Sequence, residues 1–396
     1  MSKNRVLGGI FLVSGTSIGT GILGIPTITA GGGFTYTAII FVICWIFTTI
    51  TSLYMLEVYL WVKGDSNLIS MADAFLGFGG KTITWILYLL LLYSLICAYL
   101  MAGAAWLSKF INEALQISIS KPITMLMFTV LFCPVIYFGT RSVDKLNRIL
   151  TITMMVAFLI LMLGLMPSVD ETLIGLGDIT VMPRTLPLLI TAFGYSMVIP
   201  SLGKYFEYKI KFLIISILVG SAIALVAYFV WEYVTLGNIP LKGAMGLKAL
   251  ALNHDDGTGV LRGLEKVAHG PFGLLISLFA VCAVLTSFLG VSMSLFHFLA
   301  DGLKAREKGI NNMALFALTF IPPFVILALY PAGFHQILSW AGCIVAILFG
   351  IIPTLMIFKG RYKLGFTGYK VPGGKWLGLI SIGFFVYVVV QQFQIT

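Results

Sequence analysis

Runs of about twenty consecutive apolar residues constrain this chain more than any other feature, because each can cross bilayer hydrocarbon as one helix. Eleven are counted, at about 6–32, 35–62, 83–108, 122–139, 149–167, 185–205, 212–236, 271–299, 313–330, 335–358 and 376–394. Lipid offers no hydrogen-bond partners, so a spanning segment must satisfy its own backbone as a helix or within a closed barrel. Runs of this length decide for helices. Of the 396 residues, 59% are hydrophobic and only 10% charged, against roughly 25% charged in soluble proteins. The expected fold is an all-α polytopic membrane protein with one transmembrane domain over residues 1–396.

Orientation follows from lysine and arginine. With a cytoplasmic N-terminus, the inner segments hold eighteen basic residues and the outer ones seven, together all 25. That asymmetry is the positive-inside pattern. It also accounts for the net charge of +10 without nucleic acid as a partner. An odd number of spans puts the C-terminus on the outer, periplasmic side. Lys3 and Arg5 precede an apolar run as in a signal peptide, but that run is too long and glycine-rich and ends in no small-residue cleavage site. It is kept as the first span. The five cysteines, Cys44, Cys97, Cys133, Cys282 and Cys343, fall inside apolar runs without CxxC spacing and read as small buried hydrophobes.

Two spans carry interruptions. In the first, Val13-Ser14-Gly15-Thr16-Ser17-Ile18-Gly19-Thr20-Gly21-Ile22-Leu23-Gly24-Ile25-Pro26 is a poor helix interior, since each glycine costs about 1 kcal/mol relative to alanine. Opened backbone at membrane depth is tolerated where it lines a cavity or is buried in protein. A broken helix there offers amide donors on one half and carbonyl acceptors on the other, a suitable cradle for a zwitterion. Close helix packing by small residues is the simpler reading of one such stretch. Span six repeats the pattern at Thr191-Ala192-Phe193-Gly194-Tyr195-Ser196-Met197-Val198-Ile199-Pro200-Ser201. Matched breaks five spans apart point to inverted repeats with a binding site between them, here about 5–168 and 185–358, with an extra helix at about 376–394.

Ionisable groups inside spans are costly and therefore candidates for function. Glu57 is expected near the cytoplasmic end of span two, where it could reach water. Glu232 is expected at the outer interface beside Trp231 and Tyr233. His297 lies deeper, on span eight, where Thr286, Gly290, Ser294, His297 and Asp301 follow at helical spacing as one polar stripe. Such a stripe should face a cavity or the broken helices. The long loop 64–80, with Met71-Ala72-Asp73-Ala74-Phe75, is expected to hold a short interfacial helix. The other, 237–270, contains His254-Asp255-Asp256, which reads as a solvated turn rather than a metal site. No nucleophile–base pair, phosphate loop or metal cluster appears at convincing spacing, so neither an enzyme nor a cofactor is expected. No loop is large enough for a nucleotide-hydrolysing domain.

The Gly19-Thr20-Gly21-Ile22 pattern ending in Pro26 resembles the first helix of the amino acid–polyamine–organocation superfamily. Leu56-Glu57-Val58, Phe193-Gly194 with Pro200-Ser201, and above all Thr286-Ser287-Phe288-Leu289-Gly290-Val291 with Leu299-Ala300-Asp301 are similar to the hydroxy/aromatic amino acid permeases, the tyrosine and tryptophan permeases most of all. The resemblance runs from helix 1 to the end of the chain. It implies a LeuT-like five-plus-five inverted repeat with helices 1 and 6 broken, and proton-coupled symport of an aromatic amino acid across a bacterial inner membrane. Carried over by residue, it implies that Thr20 and Gly21, next to Gly19, bind the substrate carboxylate. The backbone of Thr16, Ser17 and Ile18 would bind the amine. Phe193, Gly194 and Tyr195, with Ser196 beside them, would gate or line the side-chain pocket. Two features depart from relatives: Tyr195-Ser196-Met197 stands where Phe-His-Gly is usual, and His297 where an acid is common.

Tyrosine is the first expectation for substrate, with tryptophan or phenylalanine next. A serine/threonine or other neutral amino acid symporter, a channel, and a non-transporting amino acid receptor on the same fold remain as alternatives. For coupling, the expected ion is a proton carried by His297, whose unperturbed pKa near 6.5 suits the task. Sodium, held by helix 1 carbonyls with the Thr286 and Ser287 hydroxyls, is the second option. Glu57 and Asp301 rank behind His297, because both are expected to reach cytoplasmic water.

Overall fold

The structure, a computed structural model, describes residues 3–19, 21–62, 64, 66–137, 139–175, 177–243, 246–253, 257–267, 272–303, 311–329 and 333–395. Every regular element among them is helical. The glycine stretch cuts the first apolar run into α1 (Lys3–Ser17) and α2 (Gly21–Thr29). Helices α3 (Gly33–Val62), α4 (Leu68–Leu115), α5 (Lys121–Tyr137) and α6 (Thr140–Leu165) follow. The sixth run is cut in the same way, into α7 (Leu186–Ala192) and α8 (Ile199–Tyr205). Next come α9 (Ile210–Asn238), the short α10 (Leu247–Asn253) and α11 (Gly259–Val267), and α12 (Phe272–Gly302). The chain continues as α13 (Asn312–Leu329), α14 (Phe334–Val345), α15 (Ile352–Tyr362) and α16 (Gly374–Ile395).

Among the described residues, nine helical stretches are long and apolar enough to cross a membrane. The count differs from the eleven apolar runs for local reasons. Helix α1 stops after 15 residues at the glycines, and α2 and α3 together form one stretch, Gly21–Val62. Helix α5 has 17 residues. The helix expected in loop 64–80 is the start of α4, where Asn67 caps the first turn by accepting from Ser70 N at 2.9 Å. Gly77, at φ 77°, then bends the chain into the long apolar part of α4. Loop 237–270 is less open than its composition implies, because Val260, Leu261 and Leu264 of α11 are fully buried.

Helices α12 and α6 pack closely, as do α1 with α9, and α14 with both α7 and α4. The α14–α7 contact is backbone against backbone: a Cβ at Gly342 would overlap the Pro187 carbonyl. The Thr191 hydroxyl fastens the same contact by donating to Leu338 O at 2.8 Å. Helix α16 lies against α3, with Phe47 stacked on Phe384 at 4.1 Å between centroids.

Glu57 does not reach water as expected. Its side chain is 0% exposed, because the segment after α15 folds over it. Arg361 donates from Nε to one carboxylate oxygen at 2.7 Å and from Nη2 to the other. The Val371 amide adds a third bond at 2.8 Å. Glu232 is also fully buried, since α2 packs on the face of α9 that carries it and Thr29 bonds its carboxyl.

Candidate functional site

At the first break the helical ladder runs out at Ile18, whose amide bonds Ser14 O at 2.8 Å. Gly19 N then reaches only to Ser17 O, and Ile22 N back to Gly19 O at 3.2 Å. At the second break α7 ends at Ala192. Gly194 N bonds Thr191 O at 3.1 Å, and a 3-10 turn, Tyr195–Val198, leads into α8. Each break leaves the last carbonyls of one half-helix and the first amides of the next without intrahelical partners.

The two breaks meet. Ordinary van der Waals distance, 3.6 Å, would separate a Cβ at Gly21 from Ala192. The Tyr228 hydroxyl, from α9, sits between the carbonyls of Ser17 at 2.6 Å and Ala192 at 2.8 Å. A phenol has one hydrogen and can satisfy only one carbonyl at a time. The pair therefore keeps acceptor capacity for a cationic donor such as an ammonium group. Tyr99 and Ser287 hydrogen bond alongside, and a Cβ at Gly19 would come within 3.2 Å of Ser287 Oγ.

Beside this point lies a cavity of about 390 Å³, within the usual size of small-molecule sites. Gly15, Thr16 and Gly19 border it from the first break, and Thr191 and Gly194 from the second. Thr286, Ser287, Gly290 and Ser294 of α12 form its polar wall. Leu95, Tyr99, Met154, Met197 and Val345 supply apolar and aromatic surface. Phe11 and Leu12, at 62% and 41% exposed, stand on the side of the cavity toward the N-terminal end of α1. On the opposite side Ile22, Leu23 and Ile25 of α2 are buried. The cavity thus extends from the breaks toward the N-terminal end of α1.

Of the residues singled out from sequence, the structure brings Thr16, Gly19, Gly194, Thr286 and Ser287 to this cavity. Thr20 lies outside the described residues. Ser17 contributes its carbonyl while its hydroxyl turns back to Val13 O at 3.2 Å. Ile18 is buried, and Gly21 starts α2 next to Ala192.

Phe193, Tyr195 and Ser196 are absent from the lining. Phe193, at the end of α7, and Tyr195 and Ser196, in the 3-10 turn, lie in the core, where Phe193 packs edge-on to Tyr228. There Tyr195 hydrogen bonds Thr49 at 3.0 Å and Ser196 bonds Ser52 at 2.6 Å. Glu57 is held by Arg361. The polar stripe of α12 divides: its part from Thr286 to Ser294 faces the cavity, whereas His297 and Asp301 are exposed beyond it. His254, Asp255 and Asp256 lie outside the described residues, and no group of three or more His, Cys, Asp or Glu among those described could hold a metal.

Several site residues carry no local signature. Tyr228 and Tyr99 are single polar-tipped residues in apolar helices. Asn147 and Thr151 border the cavity from α6, and Asn147 Oδ1 is buried without a protein partner. Asn147 stands just before the apolar run 149–167, among Asp144, Lys145 and Arg148, where its position reads as an ordinary solvated segment.

The model of the tryptophan/tyrosine permease family matches residues 2–392. The chain belongs to this family. The tyrosine-specific transport system 1 of Haemophilus influenzae is 34% identical to it, over 94% of this chain and 92% of that protein. A tryptophan-specific transport protein of the same organism is 28% identical, over 98% and 95%. A glutamine transporter 2 of Aliivibrio fischeri is 30% identical, over 91% and 90%. These relatives are permeases and not enzymes, and this permease is a multi-pass membrane protein like them.

Proposed function

We propose that this permease takes up an aromatic amino acid, tyrosine first, by proton-coupled alternating access across a bacterial inner membrane with its N-terminus in the cytoplasm. The observation that carries the reading is the cavity bounded by both broken helices and by the polar face of α12. The substrate ammonium binds at the Ser17 and Ala192 carbonyls and the carboxylate at the start of α2, each at the half-helix end of matching polarity. The aromatic ring lies against Tyr99 and the apolar wall, where a ring pair adds about 0.5–1.5 kcal/mol beyond burial. Asn147 Oδ1 accepts from the tyrosine phenol or the tryptophan indole, which phenylalanine cannot offer.

An eleven-span, five-plus-five repeat is supported by the pairing of helices. If 5–168 and 185–358 are repeats, then α4 corresponds to α12 and α6 to the α14–α15 span. The two pairs α6–α12 and α14–α4 are then equivalent contacts. With the N-terminus inside, a cavity that extends toward that end fits an inward-facing conformation. His297, exposed beyond the cavity, receives no proton in this reading.

Proteoliposomes given labelled tyrosine or tryptophan, with pH and sodium gradients imposed separately, test the proposal. Accumulation is expected with an acidic exterior and without sodium. Better competition by serine, threonine or glutamine than by tyrosine and tryptophan would remove the aromatic assignment. Asn147→Leu should reduce tyrosine affinity by about threefold to tenfold, the value of one hydrogen bond, and leave phenylalanine unchanged.

A further inference from the structure

One buried acid has a place in the fold that neither packing nor an ion pair explains. Glu232, on α9, is 0% exposed, and its one hydrogen bond among the described residues is with Thr29, the last residue of α2, at 2.5 Å from Oε1. Its other oxygen, Oε2, is buried without a partner, as is Thr235 Oγ1 one turn further along α9. The Thr29 hydroxyl is also 2.7 Å from the carbonyl of Ile25. With a single hydrogen, Thr29 cannot serve both oxygens. Both contacts are satisfied at once when Glu232 carries its own proton and donates it to Thr29, which then donates to Ile25. An ionised carboxylate here would be a buried charge without a cation, which costs several kcal/mol.

Among the described residues no cation bonds Glu232; His335 of α14, which packs on α2, bonds Thr27 Oγ1 at 2.6 Å instead. Helix α2 has no ionisable residue, nor does the turn of α6 that packs on Trp231 through Phe158. On α11, Arg262 donates to Thr258, and Glu265 is bound by Lys109 and Ser277. Lys266, Lys248, Asp170, Glu171 and Tyr36 form no bond with Glu232. On α9 itself, Tyr233 packs on Phe34 and Tyr228 points to the two breaks. Tyr228 and Glu232, four residues apart, share one face of α9. That face therefore touches the far end of α2 through Glu232 and both broken helices through Tyr228.

We infer that Glu232 is the coupling residue that carries the transported proton, and that its neutral form lets α2 close over the outer end of the site; this rests on the proton-coupled reading above. The carboxylate takes a proton from the outer solution while α2 stands away, forming a neutral acid that can be buried against Thr29. The proton leaves along the Tyr228 face toward the cavity, restoring the carboxylate.

The test uses the full-length permease in proteoliposomes with labelled tyrosine and tryptophan. Glu232→Gln keeps the shape and a donor for Thr29 but has no proton to release. Its accumulation under a pH gradient should fall to the equilibrium level, while counterflow exchange stays within about threefold of wild type and becomes independent of pH. A wild type indifferent to the pH gradient overturns the proton-coupled reading and this assignment with it. A responsive wild type with undiminished accumulation by Glu232→Gln overturns the assignment alone. Thr29→Val gives a second measurement if Glu232→Gln does not insert. It removes the acceptor for the neutral acid, so the pH midpoint of uptake should move down by about half to one unit, and an unmoved midpoint overturns the assignment.

Discussion

Glu57 and Glu232 are equally buried and differently used. Glu57 meets a guanidinium through both oxygens and a backbone amide besides. Glu232 meets one hydroxyl and leaves an oxygen bare. A buried carboxylate with a full set of partners ties the structure together. One without a cation must change its charge state when its surroundings change. Glu57 joins α3 to α15 and the segment after it, whereas Glu232 touches the short half-helix α2 next to the breaks. Burial alone does not mark a functional acid in this permease; the missing partner does.

The largest effect expected from this contrast is on stability. Glu57→Ala leaves Arg361, 5% exposed, buried without its anion. Removing one member of a buried pair costs about 3–5 kcal/mol, so the variant should lose most of its folded yield or melt well below wild type in detergent. Replacing both residues by methionine should recover much of the loss. Wild-type stability in Glu57→Ala would erase the distinction between the two acids.

Tyr228→Phe comes next. It removes the hydroxyl shared by the Ser17 and Ala192 carbonyls and leaves both without that donor, at about 1–3 kcal/mol. Because these carbonyls belong to the breaks, the loss should appear in substrate affinity and exchange rate as well as in melting temperature. A purely thermal effect with unchanged transport would make Tyr228 a packing residue. Glu232→Gln should be gentler still in melting, within about 1 kcal/mol of wild type, since shape and one hydrogen bond persist. A loss as large as that of Glu57→Ala would mean that Glu232 is also structural.

The sequence made some of this readable and concealed the rest for identifiable reasons. The apolar runs and the two breaks were legible because span length and glycine content act locally. The orientation of side chains at the second break was not. The end of α7 and the 3-10 turn after it put Phe193, Tyr195 and Ser196 in the core, and residue type does not disclose that turn. Spacing identified one face of α12, but only the path of neighbouring helices determines that the cavity ends near Ser294 and before His297. The partner of Glu57 is 304 positions away. Tyr228 and Glu232 stand in an apolar helix and Asn147 in the charged first turns of α6, and the meaning of each depends on which other helix it meets.

A third glutamate supplies the smallest and most easily measured contrast. Glu207, between α8 and α9, accepts from Arg5 at 3.1 Å, and both side chains are well exposed. Arg5 also donates to Tyr205 O at 2.5 Å and lies 5.2 Å from the Tyr205 ring centroid, so the pair links the start of α1 to the end of α8. The hydrogen bond from Arg5, with Lys209 nearby, holds the Glu207 carboxyl below its ordinary value. The folded state therefore binds fewer protons than the unfolded state across the carboxylate range. The stabilisation is fully present above the unfolded value of about 4.3 and is lost as pH falls through the lower folded value. Salt screens exposed charges, so the same contribution should shrink as ionic strength rises. Glu207→Gln should thus lower the melting temperature slightly at neutral pH and low salt, and not at all in strong acid or high salt. Melting curves of the two proteins across pH and salt decide the matter, and a difference that survived acid would mean that Glu207 acts through something other than its charge.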